Sequence, residues 1–351
     1  MLKWIGLFGS CAALASGMPL AAQEQIAVEE GVVWTQQFSG FPFPPAIAGF
    51  TRTEVVQYDK EGFNISATMQ DSATGTTATL YVYRAGVPDL PIWADRAATS
   101  MLSSKAYGSF NFDQAMAGSF ALPGMESATG YRIAAPVSGS ESTSTGVTIH
   151  ITNGWLVKLR MTSRSLDVSA LDRRMMDVLA GLQGPPATEP AVPFRPIDDC
   201  SEKLEIKRDA KLVRLDMMGV ILLGAAISAG REEQQEKKAD PSGPTVWCRD
   251  EVGDGFAVYR ADQSDEGYLV ALGDSGITAS VGRYSTPGLM NPSRGYLITV
   301  SDGVTEEILP PLTRMPKVEQ VLSFAGRIGP VTTIDVRPGG SGGQTIHVTT
   351  D

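Results

Sequence analysis

The sequence predicts an α+β protein: an N-terminal antiparallel sheet with two packed helices, followed by a mainly-β sandwich or open barrel with one apolar helix. Three observations carry that expectation. Runs rich in Val, Ile, Thr and aromatic residues, bounded by turn residues, recur along most of the 351-residue chain. A few stretches break this rhythm with apolar residues at helical spacing or in a continuous block. Prolines at 185, 186, 190, 193 and 196 in GPPATEPAVPFRPIDDC forbid helix and leave an extended connector. The resulting boundaries are 23–183 for an α+β sandwich domain, 184–199 for a linker and 200–351 for a mainly-β domain.

Residues 1–22 read as a secretory signal. Lys3 supplies the positive start, Trp4 to Leu14 the apolar stretch, and Ser16, Gly17, Pro19, Ala21 and Ala22 the small-residue end. A membrane anchor is the rival reading, but the stretch is short for a bilayer span; a lipidated Cys11 is another. Strands are expected at Val32 to Phe38, Glu54 to Tyr58, Phe63 to Met69 and Thr77 to Arg84. In the last, Leu80 and Val82 alternate with Tyr81 and Tyr83, so both faces are expected to be partly covered. Leu90, Trp93, Ala97 and Met101 then recur at helical spacing after Pro88 and Asp89. Asn153-Gly154 between alternating runs signals a hairpin within 143–162. A second helix follows, with Ser169 as candidate N-cap, a stripe of Leu171, Met175, Val178 and Leu182, and Gly184-Pro185-Pro186 as its stop.

In the second half, MMGVILLGAAISA (217–229) is an uncharged block, too short at 1.5 Å per residue to span a bilayer. A buried helix or strand is the favoured reading; an interfacial or partner-binding segment, making peripheral membrane contact, stays open. Strands are expected at Val246 to Cys248, Phe256 to Arg260, Tyr268 to Leu272, Ile277 to Val281, Tyr296 to Val300, Thr332 to Val336 and Thr345 to Thr349. PGGSGG (338–343) reads as a loop before the last.

Composition excludes whole classes of chemistry. With 29 basic against 39 acidic residues, a net of −10, the chain lacks the cationic surplus that nucleic acid requires. Two histidines and three cysteines leave little for a transition-metal site, and no metal or cofactor is expected. Removal of the signal leaves Cys200 and Cys248, which an oxidising compartment would pair as a disulfide; two free thiols are the alternative. Gly273-Asp274-Ser275-Gly276 looks like the nucleophile string of trypsin-like or SGNH hydrolases. A nucleophilic serine needs a positioned base, however, and neither His150 nor His347 sits in a matching motif. Strand alternation places both histidines on polar, solvated faces. The string therefore reads as a turn, with glycines at positive φ and Asp274 and Ser275 bonding locally. Asp198-Asp199 and Asp250-Glu251 read as solvated acids. Phe38, Phe41, Phe43 and Phe50, interleaved with prolines, offer a groove for an apolar or peptide ligand, or pack the N-terminal segment across the sheet.

The segment GWLVKLRMTS (154–163), feeding an amphipathic final helix, resembles the closing strand and helix of PsbP-like periplasmic domains. The resemblance covers about 150 residues of element order. It implies a non-catalytic role in envelope or complex assembly, and no family site motif is present to carry a functional residue across. The expectation is a periplasmic or secreted, non-enzymatic protein acting through contacts with an unidentified envelope protein. A small apolar-ligand carrier and a serine hydrolase using Ser275 are the alternatives.

Overall fold

The computed structural model describes residues 23–125, 127–188, 192–237, 244–285, 294–338 and 343–347. The expected signal (1–22) and most of PGGSGG lie outside the described residues. The described residues are β-rich with four α-helices, and their long strands pair antiparallel.

The first sheet is built from β1 (Phe50–Gln57), β2 (Asn64–Asp71), β3 (Thr76–Tyr83), β4 (Met116–Phe120), β5 (Gly130–Ser138), β6 (Ser144–Thr152) and β7 (Trp155–Ser163). The order is β1-β2-β3-β7-β6-β5-β4, with two-residue strands at its margins. The β6–β7 hairpin turns on Asn153 and Gly154, both at positive φ (51° and 71°); this is the backbone that the Asn-Gly pair favours in a two-residue hairpin. The expected strand at Val32 to Phe38 shrinks to Trp34–Thr35, paired with Pro42–Phe43, because the chain there folds back through prolines.

Two helices follow the apolar spacing. Helix α1 (Leu90–Leu102) carries Pro91 in its first turn and buries Leu90, Trp93, Ala97 and Met101. Helix α2 (Val168–Gly181) is capped by Asp167, which accepts the Ala170 amide at 2.7 Å, rather than by the expected Ser169. The two helices lie on opposite faces of the sheet. On one face α2 packs Leu171, Met175 and Val178 against Leu80, Val82, Val157, Leu159 and Met161. A Cβ at Gly146 on β6 would come within 2.9 Å of both Met175 and the Ile133 carbonyl, so glycine there lets the helix approach.

The second sheet is a meander: β8 (Trp247–Gly253), β9 (Phe256–Ala261), β10 (Tyr268–Leu272), β11 (Ile277–Ser285), β12 (Arg294–Ser301), β13 (Thr305–Ile308), β14 (Thr332–Asp335) and β15 (Gln344–Ile346). Asp198–Asp199 adds a parallel strand beside β8, and among the described residues the path stays open at both ends, with no closed barrel. The uncharged block begins α3 (Met217–Lys237), whose Val220 and Leu223 pack on Ile308, Val331 and Ile334; α4 (Val318–Phe324) buries Val321 in the sheet's core. No described helix is long and apolar enough to cross a membrane.

Cys200 and Cys248 stand as a disulfide pair, Cα atoms 4.8 Å apart. The pair fastens the segment after the proline-rich bridge to β8, and the Cys200 amide donates to the Arg249 carbonyl at 2.9 Å. Asp250, expected to be solvated, is buried, because Arg260 pairs with it at 3.0 Å and the Leu204 amide donates to it. The bridge is pinned as well: Asn153 holds Pro186 and Thr188, and Phe194 packs on Tyr131 with ring centroids 5.0 Å apart.

Candidate functional site

Charged and aromatic side chains gather where the two sheets meet. Alternation along β7 sends Trp155, Val157, Leu159 and Met161 to the α2 face and leaves Leu156, Lys158 and Arg160 on the other. The register pairs Leu156 with Tyr83 and Lys158 with Tyr81, so this second face carries two cations beside two tyrosines. Lys158 Nζ lies 4.8 Å from the Tyr81 ring centroid and 5.2 Å from that of Tyr83.

The GDSG turn of the second sheet closes onto this face. Asp274 pairs with Lys158 at 3.0 Å and also with Arg160. Its backbone carbonyl accepts hydrogen bonds from Lys158 Nζ (2.7 Å) and Tyr83 Oη (3.2 Å). On either side of it, Arg96 Nε donates to the Gly273 carbonyl and the Gly86 amide to the Gly276 carbonyl, both at 2.8 Å. Gly276 has φ +95°, and a Cβ there would lie 2.4 Å from the Arg84 carbonyl oxygen, so the close approach itself requires glycine. The string is a turn, as its composition predicts, but Asp274 bonds across the junction rather than locally.

A second polar contact flanks the first. Asp95 on α1 accepts from Arg249 Nη1 and Tyr259 Oη, each at 2.6 Å, and Trp247 Nε1 donates to Asp89 at 2.8 Å. Between these contacts runs a shared apolar core: Tyr83, Ile92, Trp93 and Leu156 from the first half meet Ala257, Tyr259, Leu269 and Ala271 from the second. Both faces of β3 are therefore covered, as its alternation predicts.

Electrostatics follow from this enclosure. Burial holds the Lys158 ammonium down to about 8, Asp274 offsetting part of that cost and Arg160 adding to it. Burial alone would raise the Asp274 carboxyl; Lys158 and Arg160 outweigh it and hold the group well below the usual carboxylate range. A lysine tuned toward neutrality is the kind of group that enzymes use as a base or nucleophile. Here its side chain is 4% exposed and engaged by Asp274.

Ser275 is exposed. His150 pairs in register with Val157, which places it on the α2 face, while Lys158 and Asp274 lie on the other; the sheet stands between this histidine and the turn. His347 is exposed and bonds Thr333 beside β15, as expected for a solvated group. His150 departs from that expectation. It is buried, because β6 is covered on both faces, and it packs near Phe41 and Phe120.

Burial pushes the His150 imidazole down to about 4, so it is neutral at physiological pH. Between pH 6.5 and 4 the unfolded chain binds the proton that the folded chain refuses, and stability falls as pH falls. The loss reaches about 3 kcal/mol at the lower end. Asp59, raised by burial to about 6, works in the opposite direction over pH 6 to 3.8. Urea midpoints of wild type and His150→Gln isolate the histidine: the variant's curve is expected to be flatter over pH 6.5 to 4. Parallel curves would remove His150 from the acid response.

The four phenylalanines do not form an open groove. Phe41, Phe43 and Phe50 are buried in the core under α2, and only Phe38 is exposed, stacked on Phe63 at 4.1 Å. They pack the N-terminal segment across the sheet. Among the described residues, no group of three or more His, Cys, Asp or Glu side chains is placed to hold a metal. The chain matches no protein-family model and no curated protein sequence.

Proposed function

We propose that this protein is a non-enzymatic component of the cell envelope, exported by its N-terminal segment and acting through surface contacts rather than catalysis. One observation carries the reading: the reactive-looking groups at the junction are spent on each other. Asp274 is held by Lys158 and Arg160, and Asp95 by Arg249 and Tyr259. A catalytic site leaves at least one such group facing a space where substrate can sit; here they fasten two sheets into one two-domain body. The Cys200–Cys248 pair supports an oxidising compartment, and the resemblance of the segment 154–163 and the helix after it to PsbP-like periplasmic domains supports an assembly role.

Affinity capture from intact envelopes, using the chain from Gln23 onward, tests this reading. A defined envelope protein is expected to co-purify, with both cysteines resistant to alkylation until reduced. A serine-directed probe that labels the wild type and fails on Ser275→Ala would overturn it in favour of a hydrolase. A lipid or metabolite retained in native mass spectrometry would favour a carrier.

A further inference from the structure

We infer that the first turns of α3, with the basic segment before them, form a docking surface for an anionic lipid headgroup layer. A surface helix ordinarily sends polar residues to solvent. In α3 the face toward the sheet carries Val220 and Leu223, yet the face away from it is apolar too: Met217 is 60% exposed, Met218 62%, Ile221 43% and Leu222 38%. At 100° per residue these four fall within one 140° arc, which also contains the exposed Ala225. Leu212, in the preceding segment, is 42% exposed as well. Four large apolar side chains left open on one arc of a helix mark a surface that something covers.

Charge identifies what covers it. On a chain of net −10, the stretch from Lys203 to Arg214 runs the other way, with five basic residues against Glu205 and Asp209. Lys203 is engaged by the Asp250 carbonyl, Lys207 by Glu205, and Asp209 by Lys317. Arg208, Lys211 and Arg214 are exposed and make no ion pair among the described residues. Arg314 is exposed on the adjoining segment, next to Thr313, whose amide donates to the Lys211 carbonyl. The one acid between Lys211 and Leu222, Asp216, accepts the Gly219 amide at 2.8 Å and so caps the helix. Methionines, isoleucine and leucines bordered by unpaired Lys and Arg match the two layers of a bilayer interface, acyl boundary below and anionic phosphate above.

The inference rests on the reading of the protein as an envelope component, but affinity capture from envelopes tests that reading and vesicle flotation tests this surface, so each can fail alone. The chain from Gln23 onward is floated with phosphatidylcholine vesicles and with vesicles containing a third phosphatidylglycerol. Binding is expected only to the anionic vesicles and is expected to weaken with salt. Met218→Ser/Ile221→Ser should reduce partitioning at least about ten-fold. Lys211→Gln/Arg214→Gln should reduce it about 25-fold, roughly five-fold per charge. All four side chains are exposed, so unchanged circular dichroism is expected and confirms folding; should the serine pair fail it, Leu222→Gln replaces that pair. Equal binding to both vesicles, no binding to either, or a soluble dimer that Ile221→Ser dissociates would each overturn the assignment.

Discussion

Replacing Asp274 by alanine is expected to lower the stability of the chain by about 3 kcal/mol, the lower end of the range for breaking a buried ion pair. The substitution leaves Lys158, 4% exposed, without its counter-charge and beside Arg160. Two features keep the loss from being larger. Asp274 retains 23% exposure, so solvent already screens part of the attraction. Lys158, held down to about 8, can also shed its proton once Asp274 is gone. Lys158→Met is expected to cost less, about 1 kcal/mol, because Arg160 still neutralises Asp274 and the methionine suits the tyrosine-lined face. Urea midpoints of the two single variants and the double variant measure the coupling. Additive losses, or an Asp274→Ala variant within about 0.5 kcal/mol of wild type, would mean that the turn does not fasten the sheets.

Reducing the Cys200–Cys248 bond is expected to cost about 4 kcal/mol, the chain-entropy value for a closed loop of about 50 residues. The loop includes α3 and the basic segment, so the effect should concentrate there. The segment from Asp198 to Leu204 is held to β8 by main-chain bonds and by the buried Asp250–Arg260 pair, so those contacts should loosen first. Hydrogen exchange on oxidised and reduced protein is the measurement. Selective loss of protection in residues 198–237 is expected, with the first sheet unchanged. Uniform loss, or none, would count against a locally acting staple. Cys200→Ser/Cys248→Ser should reproduce the reduced protein without reductant.

Much of the fold was legible in the residues. The alternation of Leu80 and Val82 against Tyr81 and Tyr83 reported a strand covered on both faces, and the Asn153-Gly154 turn located the β6–β7 hairpin. Where reading failed, the physical cause is identifiable. Strand β13, Thr305-Glu306-Glu307-Ile308, carries two acids and lacks an alternating pattern. Strand β5 contains Pro136, normally an edge signal, tolerated here near the strand's end. Helix α4 has seven residues, too few for a period to show.

The junction was less legible, for a different reason. A turn acid reads as a local cap, and nothing in GDSG announces a lysine 116 residues away. The available signal lay at the other end of the contact. Lys158 and Arg160 interrupt the apolar run of β7, a strand that is mostly buried along its length, and a buried cation demands a counter-charge from somewhere. His150 failed on the same point: alternation assigned it correctly to the threonine face, but a polar face is solvated only when nothing packs on it.

The cradle for the GDSG turn lies wholly in the first half of the chain, and the turn itself wholly in the second. During synthesis, residues up to Ser163 emerge about 110 positions before Asp274. For that interval the nascent first half displays Leu156, Tyr83 and two uncompensated cations on one open flank. The order of synthesis thus leaves this flank without its counter-charge until the incoming turn seats.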